Sequence, residues 1–458
     1  MLRTVGDQPT LWESILPAGL LTMSSELQAV DELLDDLRFF APYEGFFHPF
    51  LGRPSIPIEV YLRLMFLKYR YKLGFEPLVR EVADSISWQR FCRIPLGGAV
   101  PHPTTLIKIT SRCGEQAIQA LNDALIAKAA EAKVLKTSKL RADTTVVEAN
   151  VAYPVDSSLL AKGIARMVKL ANGLKESGLA RRTKLTDRTK RAHRHARQVV
   201  NTLRRRGALA RDELRRLNAA MAAMAAMAVR EARAVARNSR RSLRERPVTG
   251  AQLATLARLE TLADRVDKIA AQTKSRVVDG VTPEGATRIV SLHDPDARPI
   301  RKGRLGRPVE FGYKAQVIDN EDGVVLDWQL EQGNPADAPM LIPALERIKE
   351  RTGAVPGEVT ADRGYGEASV ERALQDLGVD RVVIPRKGRP GPDRQRLERS
   401  EPFQRLVRWR TGSEGRISAI KREWGCRRTR MDTRSGARTW TGHGIFAHNL
   451  VKVAGLIR

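Results

Sequence analysis

Two short β-prone runs carry an aspartate each, and a long helical segment separates them. Asp143 lies within Leu140-Arg-Ala-Asp-Thr-Thr-Val-Val-Glu148, and Asp362 closes Glu358-Val-Thr-Ala-Asp362. Residues 155–275 between them read as helical and highly basic. A lone short strand leaves its backbone donors and acceptors without partners. The order of strand and helix signals along the chain, with the first run separated from a later hairpin by the helical segment, reads that segment as an insertion into an α/β unit.

The rest of the chain fits this frame. Residues 1–56 read as a lead-in with one acidic amphipathic helix, Ser25 to Phe39, in which Leu27, Val30, Leu33, Leu34 and Leu37 recur at helical spacing. Residues 57–132 read as an all-α module: a helix from Pro57 broken at Gly74, a second from Pro77 to Ile86, a third from Trp88 to Cys92, and a further helix opened by Pro103. Thr104, Thr105, Lys108 and Arg112 fall on the exposed side of that last helix, where a helix-turn-helix reader places short polar and basic residues for the major groove. A plain bundle with solvated polar residues is the alternative. Residues 133–154 hold the first strand and 155–286 the helical insertion.

Beyond it, 287–458 alternate strand and helix signals. Phe311 to Ile318, the turn Asn320-Glu-Asp-Gly323 and Val324 to Leu330 form a hairpin. The spacing predicts a helix from Pro339 to Glu350 capped by Asp337, a strand at 358–362, a helix from Glu367 closed by Gly378, and a strand from Val382 to Pro385. A flexible basic loop is expected at 386–401, one helix over 403–424, and a last helix from Ile445 to Ile457.

Charge narrows the partner. The net charge is +27, and from Arg181 to Arg246 there are 21 Lys and Arg against 5 Asp and Glu, a net of +16. More than half the excess thus sits in the insertion, and such a surface favours a polyanion, nucleic acid first. Its Arg density suits a phosphate-contacting arm, with Arg204, Arg205 and Arg206 as contacts; a solvated hairpin carrying the Met221, Met224 and Met227 stripe is the alternative. No apolar run reaches the roughly 18 residues of a membrane span, and the first residues lack a charged start followed by an apolar stretch, so neither membrane nor secretion is expected. Cys92, Cys113 and Cys426 are scattered, as reduced thiols of a cytoplasmic protein would be. His193 and His195 lie in a basic run, and His293, His443 and His448 receive no role.

The chemistry falls to carboxylates. Two strand-borne aspartates and a helix-borne glutamate, Glu414, can hold two divalent cations ~3.5–4 Å apart for in-line attack on a phosphodiester. Singly, Asp143 could be a strand-end residue, Asp362 a turn residue before Gly364, and Glu414 an i,i+4 partner of Arg410. Asp156, Asp294, Asp296 and Asp337 read as turn or cap residues.

Taken in order, these blocks resemble the DDE transposases of bacterial insertion sequences, over nearly the whole chain from about residue 50. Asp143-Thr-Thr-Val-Val-Glu-Ala-Asn-Val-Ala-Tyr-Pro-Val-Asp-Ser is similar to the family's first-aspartate block and Asp362-Arg-Gly-Tyr to its second; Asp294-Pro-Asp-Ala-Arg, Glu310-Phe-Gly-Tyr-Lys and Ala447-His-Asn-Leu also recur there. The family's Tyr-Arg-Glu-Lys signature is met by Arg410, Glu414 and Lys421, while Val407 stands at the tyrosine position. On one continuous helix, positions 407, 410, 414, 417 and 421 would share a face.

The resemblance implies a ribonuclease-H-like catalytic core over 133–154 and 287–458, with the basic all-α insertion after its first strand and an N-terminal all-α DNA-binding module. It implies that Asp143, Asp362 and Glu414 are catalytic and bind Mg²⁺, two ions, with Mn²⁺ as substitute. It implies phosphate contacts by Arg410 and Lys421, recognition of terminal inverted repeats, strand cleavage by a metal-activated water, and transfer of the freed 3′-hydroxyl to target double-stranded DNA. A homodimer on DNA, in the bacterial cytoplasm and at the nucleoid when bound, is the matching expectation. A ribonuclease-H-like nuclease without transfer, and a non-catalytic transposase-derived DNA-binding protein, are the alternatives.

Overall fold

The computed structural model describes residues 1–4, 15, 17, 19, 21–151, 155–244, 247, 249–304 and 307–458. Most of residues 5–20 in the lead-in, Ala152-Tyr153-Pro154 of the first aspartate block, and Glu245-Arg246 at the end of the basic segment lie outside these residues. The chain divides into two compact units. One comprises Met1–Glu148, Tyr313–Glu331 and Pro335–Arg458, the other Ala149–Gly312 and Gln332–Asn334.

The first unit opens with α1 (Ser25–Leu34), α2 (Ala41–Glu44), α3 (Ile58–Arg70), α4 (Phe75–Ala83), α5 (Ile86–Phe91) and α6 (Pro103–Glu131). Ser24 caps α1 by accepting from the Leu27 amide, and the helix stops at Leu34. The expected continuation to Phe39 is instead a separate 3₁₀ turn, because the Asp36 carboxylate takes the Arg38 amide and restarts the chain. Helix α3 is buried from Ile58 to Tyr69. Its Arg63, 0% exposed, is neutralised by Asp31 at 2.6 Å and Asp35 at 2.9 Å.

Strand β1 (Lys139–Glu148) follows, and the chain then enters the second unit. There α7 (Asp156–Glu176), α8 (Thr189–Thr202), α9 (Ala208–Leu243) and α10 (Gly250–Thr273) pack around an alanine-rich core with Leu259, Val266, Met221 and Met224. Small side chains let these helices approach closely: a Cβ on Gly163 would stand 2.4 Å from Val266 Cγ2. Met227, third in the stripe, is exposed. Strand β2 (Arg298–Arg304) pairs antiparallel with the first part of β3 (Arg307–Asn320).

The remainder of β3 belongs to the first unit, with β4 (Val325–Gln332) antiparallel to it. Then come α11 (Ala338–Thr352), β5 (Glu358–Ala361), α12 (Ala368–Leu377), β6 (Arg381–Val383), α13 (Pro392–Arg399), α14 (Glu401–Arg410), α15 (Gly412–Glu423) and α16 (Thr433–Ile457). Gly378, in left-handed conformation at φ 104°, ends α12 as its sequence position predicted. The sheet is mixed, in the order β2-β3-β1-β5-β6 with β4 also on β3; β1, β5 and β6 are parallel. Asn449 on α16 accepts from the Val325 amide at 2.9 Å and donates to its carbonyl at 2.8 Å, and His448 Nε2 lies 2.9 Å from the Gly323 carbonyl. The Ala447-His-Asn-Leu block therefore docks the last helix on the β3–β4 hairpin.

Three expectations are corrected. Residues 386–401 hold α13, not a flexible loop: Arg394 bridges Glu371 at 2.7 Å and Glu398 at 2.9 Å, offsetting the local charge. Residues 403–424 form two helices, because i→i+3 bonds from Thr411 to Arg408 and from Glu414 to Thr411 tighten the joint. The last helix begins at Thr433, with Gly436, Gly442 and Gly444 inside it. Gly442 and Gly444 lie where a Cβ would press on Trp328 and Ile118, and on Cys426, so packing overrides their low helix propensity.

Candidate active site

Strand pairing brings the two aspartates together. In the parallel β1–β5 ladder Ala142 is opposite Ala361, so Asp143 on β1 and Asp362, just past the end of β5, are the residues that follow this pair. Asp143 is buried; its Oδ1 accepts from the Thr144 amide at 2.7 Å and its Oδ2 from the Ser413 hydroxyl at 2.8 Å. Arg410 NH1 stands 3.5 Å from the same Oδ2. Asp362 begins a 3₁₀ turn, Arg363–Tyr365, by accepting from the Gly364 amide at 2.8 Å. Burial foremost, then the negative charges of Asp143 and Asp337, raise its pKa above the usual carboxylate value against the pull of the Gly364 amide and Arg410.

The helix pair α14–α15 is held beside β1 from within the strand. Arg141, two residues before Asp143, is bidentate to Asp319 at 2.9 and 2.8 Å, and both are buried. Its NH1 also donates to the Trp409 carbonyl at 3.0 Å, and its guanidinium lies 4.8 Å from the centre of the Trp409 ring. Gly412 is needed at the joint, since a Cβ there would stand 2.5 Å from Arg141 NH1.

Glu414 lies in the first turn of α15 and is exposed, one residue after the buried Ser413 that reaches Asp143. Lys421, near the end of α15, lines a basic cavity. Because α14 and α15 are separate, positions 407 and 410 do not share a continuous helix with 414, 417 and 421. Val407, at the signature's tyrosine position, packs with Val383, Phe403 and Leu406. Among the described residues, no three Asp, Glu, His or Cys side chains converge on one point where a metal ion could be held.

Two residues near Asp143 and Asp362 were not singled out by sequence. Ser413 is one; nothing in Thr-Gly-Ser-Glu distinguishes it beyond its place next to Glu414. Asp337 is the other, read as a helix cap. It makes no side-chain cap bond; its Oδ1 pairs with the buried Lys314 at 2.6 Å. A Cβ on Gly364 would stand 2.5 Å from Asp337 Oδ2 and 2.9 Å from Asp362 Oδ1, so both carboxylates crowd one glycine. Tyr365 is fully buried, its hydroxyl accepting from Gln316 at 3.0 Å.

The other sequence-nominated residues lie on other elements. At the start of α6, Thr104, Lys108 and Arg112 are exposed and Thr105 is partly so; His102 caps the helix, and the Arg112 guanidinium lies 5.3 Å from the Phe47 ring centre. In the second unit, Arg204, Arg205 and Arg206 are exposed in the turn between α8 and α9, with Arg205 NH1 3.6 Å from Glu213.

A family model described as "Transposase domain (DUF772)" matches residues 18–112, and one described as "Transposase DDE domain" matches residues 287–450. A Rhizobium meliloti protein, described as uncharacterized protein ORF8 in nfe locus, is 29% identical over 169 residues, which cover 36% of this chain and 80% of that protein. No solved structure matches. Among the described residues no helix is long and apolar enough to cross a membrane.

Proposed function

Because the chain belongs to the insertion-sequence DDE transposases, enzymes that cut and rejoin DNA, we propose that Asp143, Asp362 and Glu414 are its catalytic carboxylates and that it moves an element bounded by terminal inverted repeats. The observation that carries this reading is the pairing of Ala142 with Ala361, which sets Asp143 beside Asp362 across the parallel ladder. The strand order β4-β3-β1-β5-β6, with an antiparallel β3–β4 hairpin and parallel β1, β5 and β6, supports a ribonuclease-H-like core.

The donor set fits a hard divalent cation. Asp143 and Asp362 offer only oxygen, and burial followed by the nearby Asp143 charge, which together raise the Asp362 pKa, would be offset by positive charge beside Asp362. Bound Mg²⁺ or Mn²⁺ would supply Lewis-acid activation of a water and of the phosphodiester. Asp143 and Asp362 would hold it, with Glu414 as the third ligand by its place in the family signature beside Ser413.

The chain's own residues do the rest. Arg410, 3.5 Å from Asp143, brings a cation where a scissile phosphate needs charge neutralised. Arg141 fixes the α14–α15 joint that carries Arg410 and Glu414. Lys421 is a further phosphate contact. Thr104, Thr105, Lys108 and Arg112 read the repeat end, and Arg204 to Arg206 grip backbone phosphates. A homodimer would bring two ends together, and the freed 3′-hydroxyls would attack the target DNA.

The test is a cleavage and strand-transfer reaction on DNA carrying the element's ends, with Mg²⁺. Asp143→Asn and Asp362→Asn should each abolish cutting while end binding persists. Cutting in excess EDTA, or by either variant, would refute the carboxylate site.

A further inference from the structure

Two buried side chains of β3 hold the turn that carries Asp362. Lys314 and Gln316 are two residues apart, so they leave the strand on one face. Gln316 donates from Nε2 to the Tyr365 hydroxyl at 3.0 Å. Lys314, 5% exposed, donates to the Pro335 carbonyl at 2.6 Å and stands 2.6 Å from Asp337 Oδ1. Asp337 precedes α11 but makes no side-chain cap bond, so its carboxylate is not spent on that helix. It faces Gly364 instead. The space a Cβ would take there is closed by Asp337 Oδ2 at 2.5 Å and Asp362 Oδ1 at 2.9 Å. The Gly364 amide in turn holds the same Asp362 Oδ1 at 2.8 Å. A chain of contacts thus runs from Lys314 through Asp337 and Gly364 to Asp362. Among the described residues no hydrogen bond or ion pair reaches Asp362 Oδ2.

We propose that Asp337 is a positioning residue for Asp362, with Lys314 as its anchor; this rests on the reading of Asp143 and Asp362 as metal-binding carboxylates. Three features select positioning over a plain negative charge or a further ligand. The Lys314 ammonium neutralises Asp337, so the pair adds little net charge beside Asp362. Lys314 holds the Pro335 backbone and the Asp337 side chain together, which fixes where the carboxylate stands. Asp337 then closes one side of the Arg363–Tyr365 turn at Gly364, while Gln316 pins the turn's last residue. A turn held at both places keeps Asp362 Oδ1 on the Gly364 amide and leaves Oδ2 to an incoming cation. Partners that orient a metal ligand in this way are worth about 10–100-fold in metal affinity.

The experiment measures Mn²⁺ affinity of the full chain without DNA, by paramagnetic resonance or calorimetry. Asp337→Asn keeps the shape and loses the ion pair, and its affinity should fall by about tenfold or more. Lys314→Met should lower affinity by a similar factor, because an unanchored Asp337 no longer holds the turn. The sign is decisive: were Asp337 a ligand or a bare charge, Lys314→Met would free it and raise the affinity. Each single variant leaves a buried partner unpaired, so either could fail to fold. The double variant Lys314→Met/Asp337→Asn removes both charges, and thermal melting identifies which of the three proteins are folded. Because both residues act along one chain of contacts, the double variant should bind about as weakly as either single one, not at the product of their losses. Wild-type affinity in any of the folded variants, a rise in Lys314→Met, or multiplied losses in the double variant would overturn the proposal. Asp143→Asn and Asp362→Asn in the same assay separate it from the reading it rests on. If these two lose Mn²⁺ and Asp337→Asn does not, only the positioning role fails. If they bind Mn²⁺ as the wild type does, the carboxylate site itself fails, and the positioning role with it.

Discussion

Ser413 donates its hydroxyl hydrogen to Asp143 Oδ2 across 2.8 Å, and both residues are buried. This bond ties α15 to β1 one residue before Glu414. It means that Asp143 is already satisfied by donors from the protein: the Thr144 amide, the Ser413 hydroxyl and, more loosely, Arg410. A cation at Asp143 must compete with them. Ser413→Ala removes one competitor and should cost about 1 kcal/mol of stability, a typical net hydrogen bond. Mn²⁺ affinity, read by calorimetry or by paramagnetic resonance, should stay the same or rise. A marked fall in that affinity would mean that Ser413 helps to hold the ion.

Arg141 is the strut of the site. It carries a buried bidentate pair with Asp319 and a bond to the Trp409 carbonyl, while Arg416 adds a contact to Asp319 at 3.3 Å. Arg141→Met leaves Asp319 buried beside a single weaker partner, and losses of this kind run to about 3–5 kcal/mol. Arg141→Lys should recover little, because one ammonium cannot span two carboxylate oxygens and a carbonyl in the fork geometry. Denaturant midpoints of the two variants check this. Near-wild-type stability in Arg141→Lys would show that charge alone suffices.

Much of this architecture was legible in the sequence because it is local or periodic. The β-prone run around Asp143, the hairpin turn at Asn320 to Gly323 and the glycine after α12 are short-range signals, and the strands and helix end appear where they point. What could not be read depends on distant partners. Helix α13 forms because Arg394 finds Glu371, which lies on another helix. The break between α14 and α15 answers to Arg141, far back in the chain, filling the space beside Gly412. Asp337 reads as a cap because it precedes a helix; its engagement by Lys314, on a strand more than twenty residues earlier, is a tertiary contact. The seven cations of the basic cavity that Lys421 lines come from two distant stretches, 68–72 and 421–430, so no single window of sequence displays them together.

The turn at Arg204-Arg-Arg206 is exposed, and it is here proposed to follow a phosphate backbone. If it does so, DNA affinity should fall with salt, and neutralising the three arginines together should flatten the log–log slope by up to about three units, at about 0.9 per phosphate contact. The measurement is binding over a salt series for wild type and the triple glutamine variant. An unchanged slope would leave these arginines as a solvated face.

Two buried histidines make the fold sensitive to acid. Burial, with the charge of Lys68 behind it, depresses His443 to about 3; burial depresses His448 to about 4 despite its bond to Gly323. The unfolded chain takes up these protons near pH 6.5 and the folded chain does not. Stability is therefore full above pH 6.5 and declines as pH falls toward about 4, by about 1.4 kcal/mol per pH unit for each histidine. His443→Phe, placed between Tyr61 and Tyr69, should remove one proton from that slope. Denaturation at several pH values between 4.5 and 7.5 reads it, and an identical slope in the variant would shift the acid sensitivity elsewhere.

The choice of third carboxylate turns on helix α15, which carries both Glu414 and Glu423. They are nine residues apart, and nine steps of ~100° leave them about half a turn out of phase. Both are exposed. Glu414 adjoins Ser413, the residue that reaches Asp143, and keeps the signature's spacing to Arg410 and Lys421. Glu423 ends the helix, where its charge acts on Arg70. Glu414→Gln should therefore eliminate cleavage and weaken Mn²⁺ binding while the repeat ends remain bound. Glu423→Gln should leave most activity and shift only local stability, within about 1 kcal/mol for an exposed pair. If Glu423→Gln were the inactive variant and Glu414→Gln the active one, the third ligand would lie on the opposite face of α15, and the contact between Ser413 and Asp143 would have no bearing on catalysis.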